Sequence, residues 1–357
     1  MMSKILESPQ NLVFFVTDRC NLQCSHCFYW HSLASSVAEL DLEQIKKIVV
    51  SFKKPLYKVT LTGGEPFLRE DLVQICEIFS NFSKTENIYI ITNGYFPGLI
   101  YDTIKKVLEI TKLKLHLKVS LDGLRQTHNH IRQNKDSFDN AIKTIWQLKR
   151  LEKKSNFNLQ VTTTISRENL KELIDLARFV RNELKVTFHV FEIARDISFF
   201  GQISKDIEIK EYGPKNKALL LSIEQLKRLK SEINKFYLVK PTGSIINLLY
   251  RIYYANTLKV SIESMLKRKR IHPCYAGNSI GVIYANGNVS LCEVTRPIGN
   301  LKEMNFDFGK IWHSREANKR RNQINSCFCS NTCYLFASRR RNKLIEGIKG
   351  ICFPKLR

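Results

Sequence analysis

The sequence predicts an α/β fold: a partial barrel of six βα units, followed by a small C-terminal α+β unit. Three observations predict it. Short β-rich runs alternate with amphipathic stretches from about residue 11 to residue 195. Glycine and polar residues gather where those runs end, and a hairpin signal stands alone much later in the chain. Alternation of this kind is the mark of parallel strands joined by helical crossovers.

The six strands read Leu12–Val16, Lys58–Leu61, Ile88–Ile91, His116–Val119, Leu159–Thr164 and Val186–Phe191. Between them DLEQIKKIVVSF, SFDNAIKTIWQLKRL and NLKELIDLARFVRNEL space their apolar residues at i, i+3 and i+4, which gives each helix one face to pack on the sheet. After Arg195 the pattern loosens. Gly201 to Lys217 reads as a long loop, and Leu221–Tyr237 and Ile245–Lys267 read as helices. From about His272, IGVIYANGNVSLC reads as two strands joined by Asn286-Gly287.

A chain of 357 residues with 43% hydrophobic and 10% aromatic content can bury one large core and a smaller second one. No run approaches the ~20 apolar residues of a membrane span, and Met1 to Gln10 has no secretory apolar stretch. The expected location is the cytoplasm, with no membrane span. The net charge of +24 creates a field that attracts anions from a distance. Its densest runs, Lys267 to Arg270, Lys319 to Arg321 and Arg339 to Arg341, lack interleaved aromatics, so they read first as solvated surface.

The 10 cysteines gather at the two ends of the chain, a distribution that in a reducing compartment favours metal over disulfides. Cys76 is the exception: with Leu72, Ile75 and Phe79 it shares an apolar helical face and reads as core. Cys20, Cys24 and Cys27 form a C-x3-C-x2-C loop directly after the first strand. Iron–sulfur cubes usually take four cysteines, so three leave one iron open to a ligand that is not protein. A structural zinc completed by His26 or His31 is the competing reading.

The ends of the other strands decide between them. Thr62-Gly63-Gly64-Glu65-Pro66 comes after the second, Thr92-Asn93-Gly94 after the third and Ser120-Leu121-Asp122-Gly123 after the fourth. In a βα barrel such strand ends converge on one face, around whatever lies over the cysteine loop. A zinc knuckle needs none of them.

CNLQCSHCF followed by GGEP, ITNG and VSLDG resembles the radical S-adenosylmethionine (SAM) superfamily. The resemblance implies a partial (β/α)6 TIM-type barrel with a catalytic, SAM-binding 4Fe-4S cluster on Cys20, Cys24 and Cys27. It implies that SAM chelates the open iron and is cleaved reductively to a 5'-deoxyadenosyl radical. By matching position, Gly63 and Gly64 let the backbone approach the methionine moiety and Glu65 holds its ammonium. Ser120 and Asp122 resemble the ribose-contacting region, with Asn93 nearby, although Asn93-Gly94 and Asp122-Gly123 read equally as turns. His128, His130 and Arg132 fall where the family often carries a histidine and an arginine, yet local structure accounts for them. His189 fits a core position as well as a functional one.

Cys274, Gly287 and Cys292, then IGNL, KIW, Cys327, Cys329 and Cys333, resemble the SPASM/twitch extension that follows many radical SAM barrels. The implied division is a core barrel over 8–200, a helical connection over 201–271 and a SPASM/twitch-like α+β domain over 272–357. The full pattern has seven cysteines for two clusters; six candidates here imply one auxiliary 4Fe-4S cluster on Cys274, Cys292 and Cys333 with Cys329 or Cys327. Cys352 stands open between ligand and bystander, and a zinc ribbon is the competing reading for the group. Glu293, next to Cys292, is a candidate general base by analogy with side-chain-oxidising relatives, and equally an ordinary glutamate.

The resemblance implies a radical SAM oxidoreductase or maturase that abstracts hydrogen from a peptide or protein side chain and passes an electron to the auxiliary cluster. Its partners would be that substrate and a reducing donor such as flavodoxin or ferredoxin, with nucleic acid not required. Against the peptide reading, the cysteine loop begins too early for an N-terminal leader-binding domain. Dehydrogenation or rearrangement of a small sugar-like or nucleotide-like molecule is the alternative. A non-catalytic metal protein associated with nucleic acid is a third, and it leaves GGEP unexplained.

Overall fold

The computed structural model describes residues 5–33, 38–195, 217–238, 245–324 and 334–335. Six parallel strands alternate with helices, as expected: β1 (Asn11–Thr17), α1 (Leu42–Val50), β2 (Lys58–Gly63), α2 (Leu72–Phe82), β3 (Asn87–Thr92), α3 (Pro97–Ile110) and β4 (Lys114–Ser120). Next are α4 (Arg125–Arg132), α5 (Ser137–Lys149), β5 (Phe157–Ile165), α6 (Leu173–Arg178) and β6 (Phe188–Ile193). Then come α7 (Ile223–Tyr237), α8 (Ile245–Lys267), β7 (Ile280–Ile283), β8 (Asn288–Ser290), β9 (Gly299–Asn300), α9 (Phe308–Trp312) and α10 (Arg315–Gln323). The predicted loop at Gly201 to Lys217 lies outside the described residues except for its last position.

Among the described residues nine strands form one open sheet in the order β6-β5-β4-β3-β2-β1-β7-β8-β9. The predicted hairpin forms with Gly287 at φ 89° in its turn, but it does not stand apart. β7 pairs parallel with β1, from Asn11 opposite Ile280 to Phe14 opposite Ile283, so the C-terminal hairpin extends the barrel sheet.

The barrel strands present an apolar face to the helices, and β2 turns a polar face inward. In β2, Val59 and Leu61 are fully buried in the main core, whereas Lys58, Thr60 and Thr62 line the interior cavity. That period of two is the strand's own geometry. Against the outer face pack helices whose starts are set locally: in α1 the Asp41 carboxylate accepts from the Gln44 amide and the Gln44 side chain reciprocates on the Asp41 amide.

The stretch NLKELIDLARFVRNEL departs from the single helix its spacing predicts. Its α-helix covers Leu173–Arg178 only, and Phe179–Glu183 continues as a π turn. Asn169 cannot begin a helix because it is occupied elsewhere. Its amide nitrogen donates to the carbonyls of Asp122 and Thr164, and its oxygen accepts from the Ser166 amide, which ties the ends of β4 and β5 together. Cys76 is fully buried in the main core, as its helical face predicts.

Candidate active site

A cavity of about 240 Å³ runs up the inside of the sheet, and Cys20, Cys24 and Cys27 line it together with Gly63, Gly64 and Glu65. The cysteine loop leaves β1 and is held from two sides. On one side the Gly64 amide donates to the Thr17 carbonyl and the Glu65 amide to the Arg19 carbonyl, both at 2.8 Å. On the other the Ser25 amide donates to the Ile131 carbonyl at the end of α4, at 2.9 Å.

The two glycines have a steric reason beyond any ligand. A Cβ on Gly63 would lie 2.2 Å from the Thr17 carbonyl oxygen, and one on Gly64 2.0 Å from that of Arg19. Gly63 also sits at φ 132°, where side chains are strained. Only glycine lets the end of β2 press against the cysteine loop.

Glu65 is buried at the strand ends and its carboxylate is ordered by three donors. Oε1 accepts from the Thr92 hydroxyl at 2.8 Å and the Phe67 amide at 3.3 Å, while Oε2 accepts from the Asn93 amide at 2.7 Å. A carboxylate has about four acceptor sites, so one remains for a cation in the cavity. Burial pushes the Glu65 carboxyl up to about 7 in spite of those donors. Asn93 also lines the cavity and ties back to the loop through its amide, which donates to Asn21 Oδ1 at 2.9 Å; Ser120 lines it one strand further on.

Asp122 does not line the cavity. It is fully buried behind it, 2.5 Å from Arg132 Nη2, with its Oδ1 accepting from the Thr164 amide at 2.7 Å. Burial by itself would lift the Asp122 carboxyl, but Arg132, helped by His26 and His128, holds it below the usual range. The same guanidinium donates through Nη1 to Cys24 Sγ at 3.5 Å. His128 is structural: Nδ1 accepts from the Asp122 amide at 3.0 Å and the ring's other nitrogen faces Ser137 at 3.1 Å. His130 is exposed beside Glu168. His189 is buried against Phe191 and bonded to Thr163 at 2.7 Å, a core histidine that burial pushes down to about 3.

Neither histidine considered for a zinc site joins the cysteines. His26 turns toward Asp122, at 3.7 Å, and His31 stacks on Trp30. Among the described residues no three His, Cys, Asp or Glu side chains converge as a single ion would need. A cube carries its sulfurs on separate corners, further apart than the donors of one zinc, so a shared cavity wall with three cysteines suits the larger group. Burial pushes the metal-free thiols of Cys20 and Cys27 up to about 11 and about 12, so iron must displace their protons.

The hairpin contributes Ile280 to the cavity lining, and Glu293 lines it just beyond the second hairpin strand. Cys292 belongs to one small apolar cluster with Phe15, Tyr29 and Tyr284, and both Cys27 and Cys274 pack against it. Phe15 lies between the tyrosines, with ring centroids 4.6 Å from Tyr29 and 4.9 Å from Tyr284. Cys327, Cys329, Cys333 and Cys352 lie outside the described residues. Glu293 lines the cavity and is ion-paired at 2.5 Å with Arg195, whose guanidinium also covers the Phe28 ring of the cysteine loop at 3.7 Å.

Arg195 is the site residue that sequence reasoning missed. It comes after the sixth strand, in the position where the second, third and fourth strands carry their site residues, and that placement was the signal that could have found it.

Three cysteines and a buried carboxylate line one barrel cavity, and Cys274 and Cys292 share an apolar cluster with Cys27, an arrangement suited to an iron–sulfur protein of the SAM-binding kind. The radical SAM superfamily model matches residues 14–180, and the SPASM iron–sulfur cluster-binding domain matches residues 274–334. Together these matches cover most of the described chain, which belongs to the radical SAM superfamily and carries a SPASM domain. The superfamily's cofactors are 4Fe-4S clusters and SAM.

Among curated proteins, the AdoMet-dependent heme synthase of Methanosarcina barkeri is 24% identical over 88% of this chain and 85% of its own length. GTP 3',8-cyclase of Aquifex aeolicus is 32% identical over 54% of this chain, and subtilosin biosynthesis protein AlbA of Bacillus subtilis 28% over 49%. These two matches span only 59% and 37% of the respective relatives. Among solved structures, Streptococcus suis SuiB bound to precursor peptide SuiA superposes with a TM-score of 0.60 at 17% identity, over 95% of this chain and 74% of SuiB. The structure of anSMEcpe with bound AdoMet and Cp18Cys peptide gives 0.58 at 16%, over 96% and 99%. At these identities the structural likeness is one of fold. Among the described residues no helix is long and apolar enough to cross a membrane.

Proposed function

We propose that the chain is a radical SAM oxidoreductase or maturase that abstracts a hydrogen atom from a peptide or protein side chain. The observation that carries this reading is one cavity lined both by Cys20, Cys24, Cys27 and Glu65 and by Glu293 and Arg195. Cluster and SAM, when bound, supply the 5'-deoxyadenosyl radical; the protein supplies orientation and shielding.

In this reading Cys20, Cys24 and Cys27 hold the catalytic cube, and the spare acceptor site of Glu65 takes the SAM ammonium. Ser120 and Asn93 are the polar groups presented to the remainder of SAM, while Asp122 acts from behind the wall through Arg132. Cys274 and Cys292 begin the ligand set of one auxiliary cluster. Glu293, oriented by Arg195, takes a substrate proton in this reading. SuiB and anSMEcpe, which have this fold, were crystallised with peptides, and AlbA is named for bacteriocin biosynthesis; these support a peptide substrate.

A small molecule is the second reading. It is favoured by the heme synthase, whose match runs through 88% of this chain, and by the GTP cyclases. Anaerobic reconstitution with SAM, a strong reductant and candidate substrates separates the two. Product and 5'-deoxyadenosine formed together with a peptide encoded beside this gene support the first, and turnover restricted to a tetrapyrrole or nucleotide replaces it with the second.

A further inference from the structure

Arg132 lines the cavity beside the cysteine loop and is buried at 7% exposure between a carboxylate and a cluster ligand. A buried guanidinium is costly, and it persists where its donors are taken up by good partners. Here Nη2 meets Asp122 at 2.5 Å and Nη1 meets Cys24 Sγ at 3.5 Å. That sulfur is a thiol here and stands for the thiolate that would bind iron.

The surroundings keep the arrangement polar in one direction. His26 and His128 also face Asp122, His26 Nε2 at 3.7 Å from its carboxylate and His128 Nδ1 accepting from its amide. Glu65 is the other acid near the guanidinium. The Asp122–Arg132 pair is therefore a buried dipole whose positive end points at the cysteine. Its placement is rigid, because Ile131 beside it takes the Ser25 amide and His128 takes the Asp122 amide.

We infer that Arg132, oriented by Asp122, is a positioning residue that sets the reduction potential of the catalytic cluster. A donor and a positive charge beside a ligand sulfur stabilise the extra electron of the reduced cluster, so the pair raises the potential and makes the cluster easier to reduce. The inference rests on superfamily membership alone and not on the choice of substrate.

The test is a redox titration of the reconstituted full-length protein without SAM or substrate, read by electron paramagnetic resonance. The catalytic cluster's signal is recognised by its change when SAM is added afterwards. At the potential that half-reduces the wild-type cluster, Arg132→Gln is expected to lower the reduced-to-oxidised ratio at least tenfold, about 59 mV for a one-electron couple. Arg132→Lys, which keeps the charge, recovers most of that ratio. Asp122→Asn leaves the guanidinium without its counter-charge and moves the ratio the opposite way.

A ratio within twofold of wild type in an iron-replete Arg132→Gln protein overturns the inference, as does a shift of both variants in the same direction. If Arg132→Gln does not hold iron, Asp122→Asn decides by itself: a raised ratio supports the inference, and an unchanged or lowered one overturns it. Failure of the peptide reading would leave these potentials untouched.

Discussion

Replacing Gly64 by alanine tests how the cysteine loop is held. The added Cβ would lie 2.0 Å from the Arg19 carbonyl oxygen and 3.1 Å from Cys20 Cβ, so the backbone on one side must retreat by about an ångström to reach the ~3 Å that real Cβ contacts need. Two hydrogen bonds cross this contact, Gly64 amide to Thr17 and Glu65 amide to Arg19. Overpacking typically costs about 1–3 kcal/mol and each hydrogen bond about 0.5–1.5 kcal/mol, so the expected loss is about 2–6 kcal/mol. At roughly 1.3 °C per kcal/mol for a chain of 357 residues, that corresponds to a fall in Tm of about 3–8 °C. The assay pairs a thermal melt of the metal-free protein with iron content after reconstitution. Gly64→Ala should melt lower and retain less iron, because the displaced segment begins at Cys20. A variant with wild-type Tm and full iron would refute the claim that β2 positions the cysteine loop by close contact.

Cys24→Ala should remove the catalytic cluster and with it all SAM cleavage, whereas Cys292→Ala should lose iron and product yet retain uncoupled cleavage; iron analysis and 5'-deoxyadenosine assays check both, and equal iron in wild type and Cys292→Ala would rule out the auxiliary cluster. For Glu65, the folded protein holds the carboxyl at about 7, above its ordinary 4.5, so its contribution to stability is fully present below about pH 4.5 and is lost as pH rises through about 7. The metal-free wild type should therefore lose more Tm between about pH 5 and about pH 8 than Glu65→Gln does; parallel pH profiles would contradict this. The Arg195–Glu293 pair joins the end of β6 to the hairpin, and breaking a buried pair on one side costs about 3–5 kcal/mol. Chemical denaturation of Arg195→Ala, Glu293→Ala and the double variant should show a double loss smaller than the sum of the singles; strict additivity would show that the pair does not couple the two parts.

The sequence determined by itself whatever depends on short-range pattern. Alternation along β2 and the other strands, the helical spacing of α1 and α5, and the Asn286-Gly287 turn are local consequences of backbone geometry, so they could be read one segment at a time. The cysteine loop and the GGE, TNG and SLDG strand ends were legible for a related reason: parallel βα units deliver every strand's C-terminal end to the same face. Tertiary structure alone decided the pairing of β7 with β1, because an edge strand can take its partner from anywhere along the chain and nothing in IGVI specifies which edge. It also decided that Asp122 serves Arg132 from behind the wall, that Asn169 ties two strand ends instead of starting a helix, and that Arg195 meets Glu293. Each of these is a buried polar group that meets a partner elsewhere in the sequence. Residue type and spacing show that such a group needs a partner, but only the assembled fold brings one within hydrogen-bonding distance.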